Sequence, residues 1–575
     1  MILKAFLEFT ESLISGMLPF VFLIVSGVYF TVKCRFFQFR FLPASLKYAF
    51  GGMKKGGGKS GVSPFQAACT ALSATVGTGN IAGVAGAVAI GGAGAVFWMW
   101  LSAFAGMIVK VAEILLSLEY REKKRGEYIG GPMYYIKNGL PKMLAPLSFL
   151  YAAAAVPAVF CSGNLTQTGT AVQSFGGGTA VKFIGGAAFA AITAAVLAGG
   201  AERIGNFTGK IVPFMALLYL IMTFGIIGVN ISRLPAALSM IFEGAFKPAA
   251  VTGGAVGTIS AAMLTGASRG VFSNEAGLGT SPSAHACANV RSPHHQGCFG
   301  IFEVFCDTVV LCTMTAFVIL LSDGVGSGLD SIPLVLYAYS SLAGGWAGYA
   351  VGASVILFAF ATVICQGAYG KVALGYLGGG RRAQHIYLML SCAACIWGTV
   401  MPDTVMWQGA DLVVSVMTLI NITCLAAAGA GRLYTSRECR AEMSGSVPPT
   451  VGVPRRTAAD SRTRQSSAGG QSSKSSVLAA GGQISQPSVL AAGGQISQPS
   501  VLAAGRQISQ PSVLAAGGQG SRQSTLAAVR QKPIPPTGVH NRNSSATRRR
   551  TDVKDPPRAD LFCGRMPQRA KKAEI

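Results

Sequence analysis

The run TALSATVGTGNIAGVAG at 70–86 sets hydroxyl and amide side chains among glycines inside an apolar segment. Gly77, Gly79 and Gly83 each weaken a helix by about 1 kcal/mol, and Thr75, Thr78 and Asn80 compete for its backbone hydrogen bonds. A helix interrupted at 77–80 leaves N–H groups on one side of the break and C=O groups on the other without intrahelical partners. At membrane depth such groups are tolerated only where protein buries them or where they line a cavity. Amides at the start of a half-helix suit an anion such as a carboxylate, and free carbonyls suit a small hard cation. The plainer alternative is that small residues simply let membrane helices pack closely.

Further polar groups fall in apolar runs. Lys110, Glu113, Arg269, Glu275 and Asp307 lie within or at the ends of such runs. There an ionised group costs on the order of 2.5–3.5 kcal/mol on insertion scales and is functional by default. Lys110 and Glu113 are three apart on one helix and able to pair, and Arg269 and Glu275 precede or flank cytoplasmic ends. A structural or gating role suits these five better than direct binding. Gln167 is an amide expected at membrane depth, serving either a substrate or an interhelical hydrogen bond. His285, His294 and His295 cluster in a loop without metal-ligand spacing or a carboxylate arrangement, and Cys392 and Cys395 form an isolated C-x-x-C. Neither cluster supports a metal centre or an enzyme.

These residues need helices that cross a bilayer, and composition supplies them. The chain has 575 residues, 51% hydrophobic and 12% charged, with a mean hydropathy of +0.47. A soluble domain averages about 25% charged residues, so the chain reads as a polytopic membrane protein. The net charge of +25 is spread over short loops and a C-terminal tail rather than one folded face, which argues against nucleic acid. The N-terminus shows no cleavage site for a removable signal. Runs of about 20 apolar residues mark about eleven spans, near 14–33, 66–88, 91–118, 146–170, 181–199, 211–231, 253–281, 299–321, 348–370, 385–401 and 410–431. Ser331–Ala343 is apolar but too short to count.

Charge orients them. Arg35, Arg40, Lys47, Lys54, Lys55 and Lys59 follow the first span, which makes that loop cytoplasmic and the N-terminus external. Alternation then places the other basic loops inside, while 171–180, 322–347 and 402–409 hold no Lys or Arg. The first span set aside, two groups of five remain, 66–231 and 253–431, necessarily inverted. Each opens with a Gly-interrupted helix, VGTGN and TGASRGVFSNEAGLG, and matching breaks in inverted halves point to a transporter's central site. Residues 1–435 therefore read as the membrane domain. Residues 436–575 read as a disordered basic cytoplasmic tail, with SVLAAGGQISQP recurring from Ser476 and Ser488 and in near-copy from Ser500.

The motifs resemble those of the alanine/glycine:cation symporters, the sodium:alanine symporter family. The run 70–100 is similar to the family hallmark, and GGPMYY at 130–135, GN-x-x-Q at 163–167 and RGVFSNEAGLG at 269–279 follow in order. Glu303, Asp307 and Thr308 continue the last motif, Phe358–Thr362 and Trp407 with Asp411 match more weakly, and the likeness spans 14–435. Two positions depart from the pattern: Gln366 stands where the family usually has Trp, and Ile420 where it usually has Pro before the residue aligned with Asn421.

The resemblance implies an all-α, LeuT-like fold with one leading helix, a five-plus-five inverted repeat and two broken helices. It implies symport of a small neutral amino acid, alanine or glycine, with Na⁺ (or H⁺) across the cell membrane by alternating access. Gly77, Thr78, Gly79 and Asn80 would present amides to the substrate carboxylate. Carbonyls of 266–272, including Gly270, would meet its ammonium, and Val271 or Phe272 would limit its side chain. Gln167 and Gln366 would complete the pocket. The V-G-x-G-N pattern also resembles the first broken helix of sodium-coupled neurotransmitter transporters, which implies a sodium site of the Ser73 and Val76 carbonyls with the Thr362 hydroxyl. A bond from Thr362 back to its own helix is the alternative. The rival reading is a divergent member acting as a sensor or carrying another small solute. Partners are thus the amino acid, Na⁺ and the bilayer.

Overall fold

The computed structural model describes residues 17–54, 62–124, 126–176, 178–246, 258–290, 292–428, 490–492 and 495–497. The chain divides into two units, Met1–Ser461 and Arg462–Ile575. In the second unit the described residues form an antiparallel pair, β3 (Leu490–Ala492) on β4 (Gln495–Ser497). The rest of the expected tail lies outside the described residues.

The first unit is helical. Helix α1 (Leu18–Lys33) turns through 86° into α2 (Phe37–Lys54), so the segment expected as a basic loop is largely a helix. Helix α3 (Pro64–Thr75) starts on a reciprocal cap: Ser63 Oγ accepts from Gln66 N at 3.2 Å, and Gln66 Oε1 accepts from Ser63 N at 2.9 Å. The helix stops at Val76. After a single 3₁₀ turn at Thr78–Asn80, α4 (Ala82–Gly91) resumes at 58° to α3. The break expected from the glycines is present.

Helix α5 (Ala95–Glu119) is buried along most of its length. A hairpin of β1 (Glu122–Lys124) and β2 (Glu127–Ile129) leads to α6 (Pro132–Gly139). Helix α7 (Pro146–Ala158) continues through a π-helical turn (Val159–Leu165) into α8 (Thr166–Gln173). Next come α9 (Thr179–Leu197), α10 (Gly200–Val229), α11 (Leu234–Phe246) and α12 (Thr258–Asn274). A loop and the single-turn α13 (Pro282–Ala286) precede α14 (Pro293–Val304), which passes through a second π turn (Phe305–Cys312) into α15 (Thr313–Leu321). The series ends with α16 (Ser331–Ala343), α17 (Gly345–Tyr376), α18 (Arg381–Trp397) and α19 (Asp403–Ala427).

Among the described residues seven helices are long and apolar enough to cross a membrane, or nine if each bent pair is one span. The chain is a polytopic membrane protein on this count, but the expected eleven spans are not reached. The other two, 253–281 and 385–401, hold α12 and α18, each of 17 residues, and residues 253–257 lie outside the described residues. Ser268, Arg269 and Ser273 in α12 and Arg381, Arg382 and His385 in α18 dilute their apolar character.

Small residues set the central packing. A β-carbon at Gly266 would come 2.1 Å from Ala95 O, one at Gly270 2.1 Å from Ser102 Oγ, and one at Gly106 2.7 Å from Ala276 Cβ. Helices α5 and α12 therefore touch backbone to backbone, the close approach that small residues permit in membranes. The apolar segment too short to count as a span is the helix α16, whose Ile332, Leu334, Val335, Ala338 and Tyr339 are buried in the largest apolar cluster.

Candidate functional site

The α3–α4 break is held by side chains from three other helices. Asn80 Oδ1 accepts from Gly77 N at 2.9 Å, and Gln167 Oε1, from α8, accepts from Thr78 N at 3.0 Å. Two amides expected to face a carboxylate are thus already satisfied. Asn80 Nδ2 donates to Asp307 Oδ1 at 2.6 Å, and Thr315 Oγ1 donates to Asn80 O at 2.7 Å. Asn80 therefore positions the break rather than lining the cavity. The Thr78 hydroxyl is buried without a protein partner, a group suited to a ligand.

On the carbonyl side the three oxygens expected to meet a cation lie close together. Thr362 Oγ1, on α17, lies 3.0 Å from Ser73 O and 3.3 Å from Val76 O, and also 3.1 Å from Phe358 O in its own helix. The bond back to its own helix is present, and the same hydroxyl also reaches the two carbonyls of α3. Ser73 Oγ donates to Ala361 O at 2.8 Å and locks α3 to α17. A β-carbon at Gly77 would sit 2.6 Å from Thr362 Oγ1 and 2.9 Å from Gln167 Oε1, so only glycine allows this approach. Among the described residues no group of three or more His, Cys, Asp or Glu could hold a metal ion. A carbonyl and hydroxyl set with no formal charge fits an alkali cation as cargo.

Between the two breaks lies a narrow cleft with about 10 Å³ of free space, where Gly77, Gly79, Gln167, Glu275, Thr362 and Gln366 meet an apolar wall that includes Phe272, Leu278 and Val414. That is room for a single water-sized particle, so the site is collapsed in this conformation. Phe272 caps it: its ring lies 3.4 Å from a β-carbon built on Gly79 and 5.1 Å from the Trp407 ring.

The second break differs from expectation. Helix α12 runs unbroken through 266–272, and Val271 O accepts the helical bond from Glu275 N at 3.0 Å. Those carbonyls are not free for an ammonium, Gly270 serves the contact with α5, and Val271 is packed in the core. The chain leaves the helix at Glu275 instead, whose φ is +53° in a region that side chains rarely adopt, followed by Gly277 and Gly279 at +87° and +85°.

All five charged residues are placed. Lys110 does not pair with Glu113. Its ammonium donates to Glu275 O at 3.2 Å and Ser281 Oγ at 2.8 Å, clamping the loop of the second break. Glu113 accepts from Asn421 Nδ2 at 2.6 Å, and Asn421 also holds Gly277 O and accepts from Tyr135 OH. Glu275 accepts from Gln366 Nε2 and Thr280 Oγ1. Asp307, fully buried on the second π turn, accepts from Asn80, from Ser273 Oγ at 2.8 Å and from Thr308 Oγ1 at 2.8 Å. It thereby ties the first break to the end of α12. Arg269 sits inside α12 rather than at its end, 3.1 Å from Asp411 with its guanidinium 4.4 Å from the Trp407 ring centroid.

Sequence reasoning missed two groups. Asn421 bridges Glu113 to the second break, and its signal was an amide in the apolar run of α19. His285 does have a carboxylate: its Nε2 meets Glu303 and its Nδ1 meets Gln296, which also donates to Pro64 O at 3.1 Å. The partners are 18 and 11 residues away, so no local motif announces them.

Comparison with known proteins is consistent over the helical part. The model of the sodium:alanine symporter family matches residues 1–433. An uncharacterized transporter of Haemophilus influenzae is 37% identical over 435 residues, 74% of this chain and 93% of its own length. The sodium/alanine symporter AgcS of Methanococcus maripaludis is 36% identical over 425 residues, 72% and 92% of the two chains. The probable sodium/glutamine symporter GlnT of Bacillus subtilis is 34% identical over 426 residues, 74% and 88%.

Proposed function

From the premise that this chain belongs to the sodium:alanine symporter family, we propose that it carries alanine or glycine into the cell with Na⁺. The family is one of transporters, not enzymes, and its relatives indicate sodium/amino-acid symport. The observation that carries the finer reading is that Ser73 O and Val76 O both lie within 3.3 Å of Thr362 Oγ1, beside a narrow cleft of mixed polarity at a helix break.

In this reading Na⁺ inserts among those three oxygens and displaces the Thr362 hydroxyl proton from the two carbonyls. The amino acid enters the cavity at Gly77, Thr78 and Gly79, with Gln167 moving off Thr78 N to free that amide for the carboxylate. Phe272 and the Gly-rich backbone limit the side chain. The Arg269–Asp411 pair under Trp407 closes the external side, and Gln366 on Glu275 closes the cytoplasmic side. Eleven spans in a LeuT-like five-plus-five arrangement, with the N-terminus outside and the tail inside, let the two closures alternate. That arrangement draws on the two breaks and on the 17-residue helices α12 and α18, long enough to span when little tilted.

One observation favours a second reading. Gln366 puts a polar, flexible side chain on the cavity wall, which suits a solute larger or more polar than alanine. Equilibrium binding of labelled alanine, glycine and glutamine to the purified protein, in NaCl or choline chloride, tests both. Sodium-dependent binding of alanine or glycine supports the first, of glutamine alone the second, and binding indifferent to sodium removes the cation assignment.

A further inference from the structure

Helix α2 carries a face that the transport reading leaves unused. Between Glu11 and Glu113 the sequence holds no acidic residue, while Lys33, Arg35, Arg40 and Lys47 fall at or on the α1–α2 elbow and α2. The 86° bend turns α2 across the direction of α1. Two consecutive non-glycine residues, Arg35 and Phe36, adopt φ of +54° and +60° to make that bend. Strain of this kind persists only where its surroundings fix it. Here Phe36 N donates to Thr31 O at 2.8 Å, Gln38 Nε2 to Thr31 Oγ1 at 2.7 Å and Arg40 Nη1 to Arg35 O at 3.2 Å.

The two faces of α2 differ in kind. Phe37, Gln38, Ser45 and Ala49 are buried, and the Tyr48 ring lies 4.2 Å from His295 of α14, so the helix is docked on the protein. The other face exposes Phe36, Phe39 and Phe50 at 54%, 47% and 62% together with Arg35, Arg40 and Lys47. A surface facing water gains nothing from three exposed rings, and one facing acyl chains would not carry three cations. Rings and cations together match the headgroup level of a bilayer. The lack of any acid on this helix selects the sign of its partner.

We propose that α2 lies in the membrane interface and binds anionic phospholipid headgroups through Arg35, Arg40 and Lys47, with Phe36, Phe39 and Phe50 seated at the acyl boundary. Each juxtamembrane cation strengthens such attraction about fivefold at low salt, so the three act as one site. The test uses the full chain in nanodiscs of mixed phosphatidylcholine and phosphatidylglycerol, extracted gently, with the retained lipid counted by native mass spectrometry. The wild-type protein should retain phosphatidylglycerol several-fold over its bulk share and lose that excess in high salt. R35Q/R40Q/K47Q should fall to the bulk ratio, while K142Q, an exposed cation in another loop, should not. If the triple variant does not fold, the double variant R35Q/R40Q should show an intermediate loss and K47R none. Wild-type retention at the bulk ratio, or a folded triple variant that keeps the excess, overturns the proposal.

Discussion

Thr362 carries the sharpest claim at the scale of single residues. Its hydroxyl is the one side-chain oxygen in the proposed cation set, and it reaches two carbonyls of the neighbouring helix as well as Phe358 O in its own. Thr362→Ala removes that oxygen and leaves the cavity wall in place. Its half-saturating sodium concentration should rise tenfold or more, with a much smaller change in alanine affinity at saturating sodium; equal changes in both would dissolve the division of roles. Gly77 makes the complementary case by sterics. The Gly77→Ala methyl meets Thr362 Oγ1 and Gln167 Oε1 at 2.6 and 2.9 Å, and overpacking of this kind costs about 1–3 kcal/mol. Both atoms must shift, so sodium-dependent binding should be lost while thermal unfolding shifts by only a few degrees. A Gly77→Ala protein that binds like wild type would show that the approach seen here is not needed.

Among the elements, the two broken helices were legible to different degrees. The first break could be read because Gly77, Gly79 and Asn80 put permissive backbone and competing side chains at the same turn. Of the interrupted stretch expected at 265–279, only the part from Glu275 onward leaves the helix, whereas Gly266 and Gly270 stay within it. In the structure they are contact points for α5, and the helix holds because tertiary packing outweighs the weak propensity of glycine. The true exit, at Glu275, is marked by a non-glycine residue in left-handed geometry, which sequence pattern does not reveal. This relocation gives Glu275 its meaning. Gln366 Nε2 and Lys110 hold its carboxylate and carbonyl respectively, so α17, α5 and the loop after α12 meet at one residue. Glu275→Gln places an amide against an amide and loosens that contact. Transport rate should then fall about tenfold or more with substrate affinity changed less than threefold. A loss of affinity matching the loss of rate would count against a gate.

For the whole molecule, fold class and family could be read early because they rest on summed properties: apolar length, loop charge and motif order. Helix length and composition alone give seven to nine spans among the described residues, against the eleven expected. The two 17-residue helices carry charge, Arg269 within α12 and Arg381 and Arg382 at the start of α18, and Arg269 meets Asp411, a partner that only the fold brings near. The same limit explains why Asn421 and the His285–Glu303 pair went unrecognised, since their partners lie on other helices. All these contacts converge on one account, in which a cation and an amino acid bind together at a break between two closures. Uptake of labelled alanine into proteoliposomes, with and without an inward sodium gradient, tests that account most directly. It predicts accumulation above the external concentration that needs the gradient and collapses when the gradient is dissipated. Equal uptake with and without sodium, or none of any small neutral amino acid, would contradict it.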